Sequence, residues 1–300
     1  MRERTASVEY RAQQDVEPTL ADIASALASF GYRVTRWTHS DVEPGKGPID
    51  PEPCDLAVAW HGMHILQESG LAKLRRCGAK VLFLEYAWWD RGLSFQADPR
   101  GTNGAASWAR WPEEWHGTDR GLKVSPGPLL ACLQGEYDAA SRRISPHFAK
   151  NCDFVTFLAR YSRLPVVVRP HPETQCDRWT RAAIREAGVE VDDASRPIEE
   201  AVERASAVAT LSSACGVTAM EMGKPVLVYG TAAYRRPGAV YCLDNRPIGT
   251  LAATEAIRRG TCELSADLIA DTLATLRKHT LYRRDLPGCL RPILEAIRAA

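Results

Sequence analysis

Apolar positions along the chain fall into short dense runs, and the stretches between several of them carry helical spacing. Residues 54–60 (CDLAVAW), 80–86 (KVLFLEY), 129–133 (LLACL), 165–169 (PVVVR), 208–211 and 225–229 (PVLVY) are nearly continuous apolar runs, the pattern of strands buried on both faces. Residues 7–11 and 32–38 read as further strands. Between them, 18–30 places Leu20, Ile23, Leu27 and Phe30 on one helical face before Gly31 stops the turn. Helices are also predicted over 63–77, 179–187, 213–222, about 264–277 and 290–299. Residues 41–53 (DVEPGKGPIDPEP) are a loop that no regular element tolerates. Strand and helix in alternation call for parallel sheets with helices on their faces.

The alternation breaks over 87–128, a stretch holding five of the eight tryptophans among many Gly, Pro and Arg residues. A second α/β series starts after it. At 300 residues the chain is about twice the usual domain length. We therefore expect an α/β protein of two Rossmann-like domains facing a cleft, residues 1–125 and 126–300, with the last helix packing back on the first domain.

Composition narrows the partners. With 38 basic and 37 acidic side chains the net charge is +1, so no overall field recruits nucleic acid or membrane. No apolar run is long enough to span a bilayer, and the opening MRERTASVEYRAQQD lacks the apolar core of a signal peptide. Both predict a cytoplasmic protein without a membrane span. Nine cysteines are scattered without a C-x-x-C pair, which reads as reduced thiols and argues against zinc.

Four stretches carry candidate chemistry. In 205–230 (ASAVATLSSACGVTAMEMGKPVLVYG) a strand ends at Ser212 and Ser213, and a helix opens at once on small residues. Free amides there suit a diphosphate, and Glu221 is placed to reach a ribose hydroxyl. A plain capped helix would look the same. In 166–173 (VVVRPHPE) a strand delivers Arg169 and His171 to a carboxyl edge, where open sheets bind ligands. Arg169 is expected to clamp phosphate and His171 to donate to a phosphate or sugar oxygen. In 133–141 (LQGEYDAAS), Gln134, Gly135 and Asp138 follow the first strand of the second series; no G-x-G-x-x-G is present, which disfavours a dehydrogenase. In 83–115, Glu85 ends a buried strand and Asp90 follows in a Trp-Trp-Asp-Arg turn. Either carboxylate is a candidate general base. Trp88, Trp89, Trp108 and Arg91 supply faces and charge for an acceptor sugar or base.

The run VVVRPHPE followed by TLSSACGVTAMEMGKPVLVYG resembles the donor-binding half of GT-B glycosyltransferases, of the capsule-polysaccharide type and of the small phage-encoded type. The resemblance covers about residues 54–230. It implies that Arg169, His171, Ser212, Ser213 and Glu221 contact the donor nucleotide. LEYAWWDRG and RGTNGAAS are similar to the acceptor-side motifs, which brings in Asn103; Ala87 stands where the family commonly has glycine. The implied activity is hexosyl transfer from a nucleotide sugar, a UDP-sugar first, with no prosthetic group and no obligatory metal. For the acceptor, the phage-type likeness and the Arg/Trp-rich segment favour 5-hydroxymethylpyrimidine in phage DNA, in the host cytoplasm. Lipid-linked or capsule glycan is the alternative. A nucleotide-sugar epimerase of the same architecture and a non-catalytic nucleotide-binding module are the rivals; oligomeric state stays open.

Overall fold

Each half of the chain builds its own six-stranded sheet around runs of short apolar residues. In this computed structural model the described residues are 3–9, 16–37, 52–60, 65–114, 122, 124–135, 145–174 and 176–299. The chain divides into two compact units, Met1–Trp108 with Arg277–Ala300, and Ala109–Leu276.

In the first unit, β1 (Arg4–Glu9), β2 (Tyr32–Trp37), β3 (Leu56–Trp60) and β4 (Lys80–Tyr86) pair in parallel. β5 (Ser94–Asp98) and β12 (Leu281–Tyr282) add antiparallel strands, giving the order β12-β5-β4-β3-β1-β2. One face packs α1 (Glu17–Ser29) and the C-terminal helix Leu290–Ala299, whose Leu290, Leu294 and Ile297 join Ile23, Val58 and Leu84. The other packs α2 (Ile65–Arg76) through Leu71 and Leu74 against Ala57, Ala59 and Phe83. Every residue of β3 is buried: Leu56, Val58 and Trp60 fill one helix-covered face, and the small Ala57 and Ala59 lie on the other. Gly31 adopts φ 79°, the left-handed turn that ends α1.

β5 lies inside the stretch read above as irregular. Ser94, Gln96 and Asp98 on one face are polar yet buried while Phe95 joins the core on the other, an alternation that runs for only five residues.

In the second unit all pairings are parallel. β6 (Leu129–Cys132), β7 (Val166–Arg169), β8 (Glu190–Val191), β9 (Ala207–Thr210), β10 (Val226–Val228) and β11 (Tyr241–Cys242) lie in the order β11-β10-β9-β6-β7-β8. Counted from β6, this is the 3-2-1-4-5-6 order of doubly wound sheets. The core on one face gathers Phe148, Phe154 and Leu158 against Tyr229 and Ile257. The supporting helices are α3 (Asn151–Tyr161), α4 (Arg178–Ala187), α5 (Ile198–Arg204), α6 (Cys215–Glu221), α7 (Pro247–Arg258) and α8 (Ala266–Lys278); the C-terminal helix is α9. The expected boundary near 125 comes after Trp111, which already belongs to the second unit. Its Nε1–H donates to Ala233 O at 2.7 Å, and the Arg236 guanidinium lies 4.8 Å from its ring centroid.

Candidate functional site

The strand order of the second unit reverses between β6 and β9. From β6 the chain moves outward to β7 and β8, then returns to β9 on the other side. Loops leaving two such neighbours part in opposite directions, and in open α/β sheets ligands sit in the crevice that opens there. Gln134 and Gly135 leave β6 at this point, and Ser212 and Ser213 leave β9.

Their geometry is specific. The Gln134 side chain is 9% exposed. Its Oε1 accepts from the Ser213 N–H at 2.8 Å, the Ser212 N–H at 3.2 Å and the Ser212 hydroxyl at 3.1 Å, the amide orientation following from that network. The Ser213 N–H is shared with Thr210 Oγ1 at 3.0 Å, and Ser213 Oγ accepts from the Cys215 N–H at 3.3 Å. Two successive N–H groups and a hydroxyl aimed at one point form a concave donor set suited to an anion. Behind it Asn151, buried at the start of α3, donates Nδ2–H to Gln134 O at 2.8 Å. The Cys132 thiol hydrogen-bonds that of Cys215, which holds Cys215 below the usual thiol range and helps raise Cys132 above it.

Gly216 follows the cradle because nothing larger fits. A Cβ there would lie 2.4 Å from Tyr234 Oη and 2.6 Å from its Cζ, while Tyr234 Oη donates to Ser213 O. Gly216→Ala must therefore displace the ring that holds the serine loop. Overpacking of this kind costs about 1–3 kcal/mol. Denaturant unfolding should show that loss, and unchanged stability would mean that the ring yields freely.

The neighbouring strand β7 ends in Arg169 and is followed by His171, but only one of them faces outward. Arg169, expected to clamp phosphate, is 6% exposed. Its guanidinium pairs with Asp192 and donates to the carbonyls of Asp193 at 3.2 Å, Ala194 at 3.4 Å and Arg196 at 2.5 Å. It therefore ties down the loop after β8 instead of presenting itself to a ligand. His171 is half-buried, and its Nδ1 accepts from the Glu173 N–H at 3.2 Å. That contact leaves the neutral ring protonated on Nε2. It borders a cavity of about 750 Å³ with Pro170, Arg181, Arg185 and Val191.

The remaining donor-side expectations fare differently. Glu221 is exposed and closes α6, six residues on from its first residue, Cys215. Asp138 lies outside the described residues.

In the first unit the carboxylates separate by environment. Glu85 on β4 is 7% exposed. Its Oε1 accepts from the Tyr86 N–H at 3.2 Å, and it sits directly opposite Gln96 in the β4–β5 ladder. Gln96 in turn receives the Asn103 N–H on Oε1 at 2.9 Å and donates Nε2–H to Tyr86 O at 3.1 Å. The two expected motifs thus meet through a residue that sequence reasoning missed. Asn103 holds φ 53°, a left-handed backbone suited to asparagine. Asp90 is exposed on the turn before β5, with φ 50° and its carbonyl accepting from the Leu93 and Ser94 N–H groups.

The tryptophans pack on one another and on cations. Trp88 meets Trp89 and Trp108 edge-on at 6.2 and 5.8 Å. Arg277 covers Trp89 at 4.5 Å, and His279 stacks on Trp108 at 4.3 Å. Arg91 lies 4.7 Å over Tyr86. One face each of Trp89 and Trp108 is thus occupied from within, which reduces the stacking surface expected for an acceptor.

Burial and neighbouring Lys278 hold His279 below the ordinary histidine pKa, with Asp98 acting in the opposite sense. The folded state then favours the neutral ring. Its stabilising contribution is present above the unfolded value of about 6.5 and is lost as pH falls toward the lower folded value. A thermal melt repeated from about pH 7 to about pH 5.5 should lose less in His279→Phe than in the wild type; equal losses would contradict this.

Among the described residues no group of three His, Cys, Asp or Glu is placed to hold a metal ion, and no helix is long and apolar enough to cross a membrane.

Residues 129–249 match the family model described as "Capsule polysaccharide biosynthesis protein". No curated protein matches the chain. Among solved structures, the KpsC beta Kdo 2,7 transferase of Thermosulfurimonas dismutans superposes with TM-score 0.55 at 16% identity, over 94% of this chain and 92% of that one. The KpsC beta Kdo 2,4 transferase of the same organism gives 0.56 at 15% identity, over 94% and 93%. At such identities the likeness is one of fold: an α/β chain of two parallel-dominated sheets, as in GT-B glycosyltransferases.

Proposed function

We propose that this protein is a glycosyltransferase that moves a sugar from a nucleotide-activated donor to a hydroxyl of a glycan in capsule or cell-surface polysaccharide synthesis. The observation that carries it is the Ser212–Ser213 cradle. It stands at the switch point of a doubly wound sheet, inside the stretch that matches the capsule family model. In this reading the second unit holds the donor, and Gln134, Gly135, His171, Ser212 and Ser213 line its phosphate end. Arg169 acts as a positioning residue through the loop after β8. Glu85 is the base in this reading, taking the proton from the acceptor hydroxyl as its oxygen bonds to the anomeric carbon. The donor's phosphate leaves with the bonding electrons, and the cradle N–H groups stabilise its developing charge.

The glycan acceptor replaces hydroxymethylated DNA as the preferred reading. The family match favours polysaccharide synthesis, and the tryptophan faces expected to stack a base are partly covered. The neighbours' sugar also widens the donor choice from hexoses to Kdo.

The test incubates the protein with nucleotide-activated hexoses and nucleotide-activated Kdo, each with capsule oligosaccharides or hydroxymethylated DNA, and weighs the products by mass spectrometry. A sugar-sized gain on oligosaccharide with nucleotide release is expected. A gain confined to DNA, or donor epimerised with no acceptor present, would overturn the reading.

A further inference from the structure

The group that fills the cradle belongs to the protein itself. Gln134 is fixed at its backbone by Asn151. Its side-chain oxygen lies where three donors converge, at 2.8, 3.2 and 3.1 Å. A phosphate oxygen in the same place would make the same contacts with its charge, and charge-assisted bonds are about twice as strong as neutral ones. Thr210 keeps one bond to the Ser213 N–H whether or not Gln134 is there, so withdrawal of the amide leaves only the Ser212 groups without a partner. From this we infer that Gln134 is a built-in competitor for the donor site: its amide oxygen stands in the phosphate position, and the donor must displace it to bind. The inference rests on the donor-site reading above and adds a threshold to it. A neutral oxygen satisfies these half-buried N–H groups, yet it yields to an anion that reaches both Ser212 and Ser213.

The two kinds of Gln134 role have opposite signs. If the amide were a ligand to the diphosphate, its removal would weaken binding; as a competitor, its removal strengthens it. Wild type, Gln134→Ala and Gln134→Glu are titrated calorimetrically with inorganic pyrophosphate and with UDP. Gln134→Ala should bind about five- to tenfold tighter, the equivalent of one lost competing hydrogen bond. Gln134→Glu, nearly the same shape, places a carboxylate on the same donors and should bind at least about tenfold weaker. Weaker or unchanged binding by Gln134→Ala overturns the competitor role while a binding wild type leaves the donor site standing. If neither wild type nor Gln134→Ala binds, the donor-site reading falls and the competitor with it. Should Gln134→Ala fail to fold, Gln134→Glu decides alone: tighter or equal binding overturns the inference.

Discussion

Arg169→Ala is expected to destabilise the second unit by about 3–5 kcal/mol, the usual cost of removing one partner from a buried ion pair. Both side chains of the Arg169–Asp192 pair are 7% exposed. The alanine would leave the Asp192 carboxylate without its buried cation and three loop carbonyls without their donor. Arg204 also reaches Asp192 Oδ1 at 2.8 Å. Its side chain is 52% exposed, so it softens the loss without cancelling it. Equilibrium denaturation in guanidinium measures the effect. Replacing both partners at once, Arg169→Met with Asp192→Leu, should recover much of it, because the desolvation penalty of both charges disappears. An Arg169→Ala protein of wild-type stability that no longer binds pyrophosphate would contradict this, and would return the guanidinium to the ligand.

Glu85→Gln should reduce transfer by about 10²- to 10⁴-fold, the contribution of a positioned general base, while donor binding stays unchanged. The amide keeps the shape and can still receive the Tyr86 N–H, so Gln96 and Asn103 should keep their places. What it loses is the ability to accept a proton. The readouts are single-turnover transfer to oligosaccharide and calorimetric donor binding on the same preparation. Asp90→Asn is expected to be mild, since that carboxylate lies on an exposed turn held through its backbone carbonyl. Full activity in Glu85→Gln beside an inactive Asp90→Asn would move the base to the second carboxylate.

Much of the fold was readable because these strands are short and mostly apolar. LAVAW, KVLFLEY, LLAC and VVVR are interior strands of their sheets, where burial on both faces removes any need for alternation. Three kinds of element escaped. β8, β11 and β12 are two-residue strands that exist only through their neighbours. β5 hides because its alternation lasts only five residues and carries a single large apolar side chain, Phe95. The helices Asn151–Tyr161, Ile198–Arg204 and Pro247–Arg258 were passed over, although Pro247 opens the last of them at a position where proline favours a helix start.

At the candidate site, residue types were legible but directions were not. Gln134, Ser212 and Ser213 are read correctly as neighbours of strand ends, and the strand order brings them together. Arg169 at a strand end looks the same in sequence whether it points to a ligand or inward. The inward turn depends on Asp192 and the carbonyls near it, 23 to 27 residues away in the chain. Gln96, Asn151 and His279 gave no local signal, because each acts through a partner that only tertiary structure supplies.

On the proposed reading the donor's phosphate sits at the switch point between β6 and β9. A crystal structure of the protein with a nucleoside diphosphate bound tests it most directly. Phosphate oxygens are expected within hydrogen-bond distance of the Ser212 and Ser213 N–H groups, with the Gln134 amide displaced from them. A nucleotide bound elsewhere, with Gln134 still seated on both serines, would contradict it.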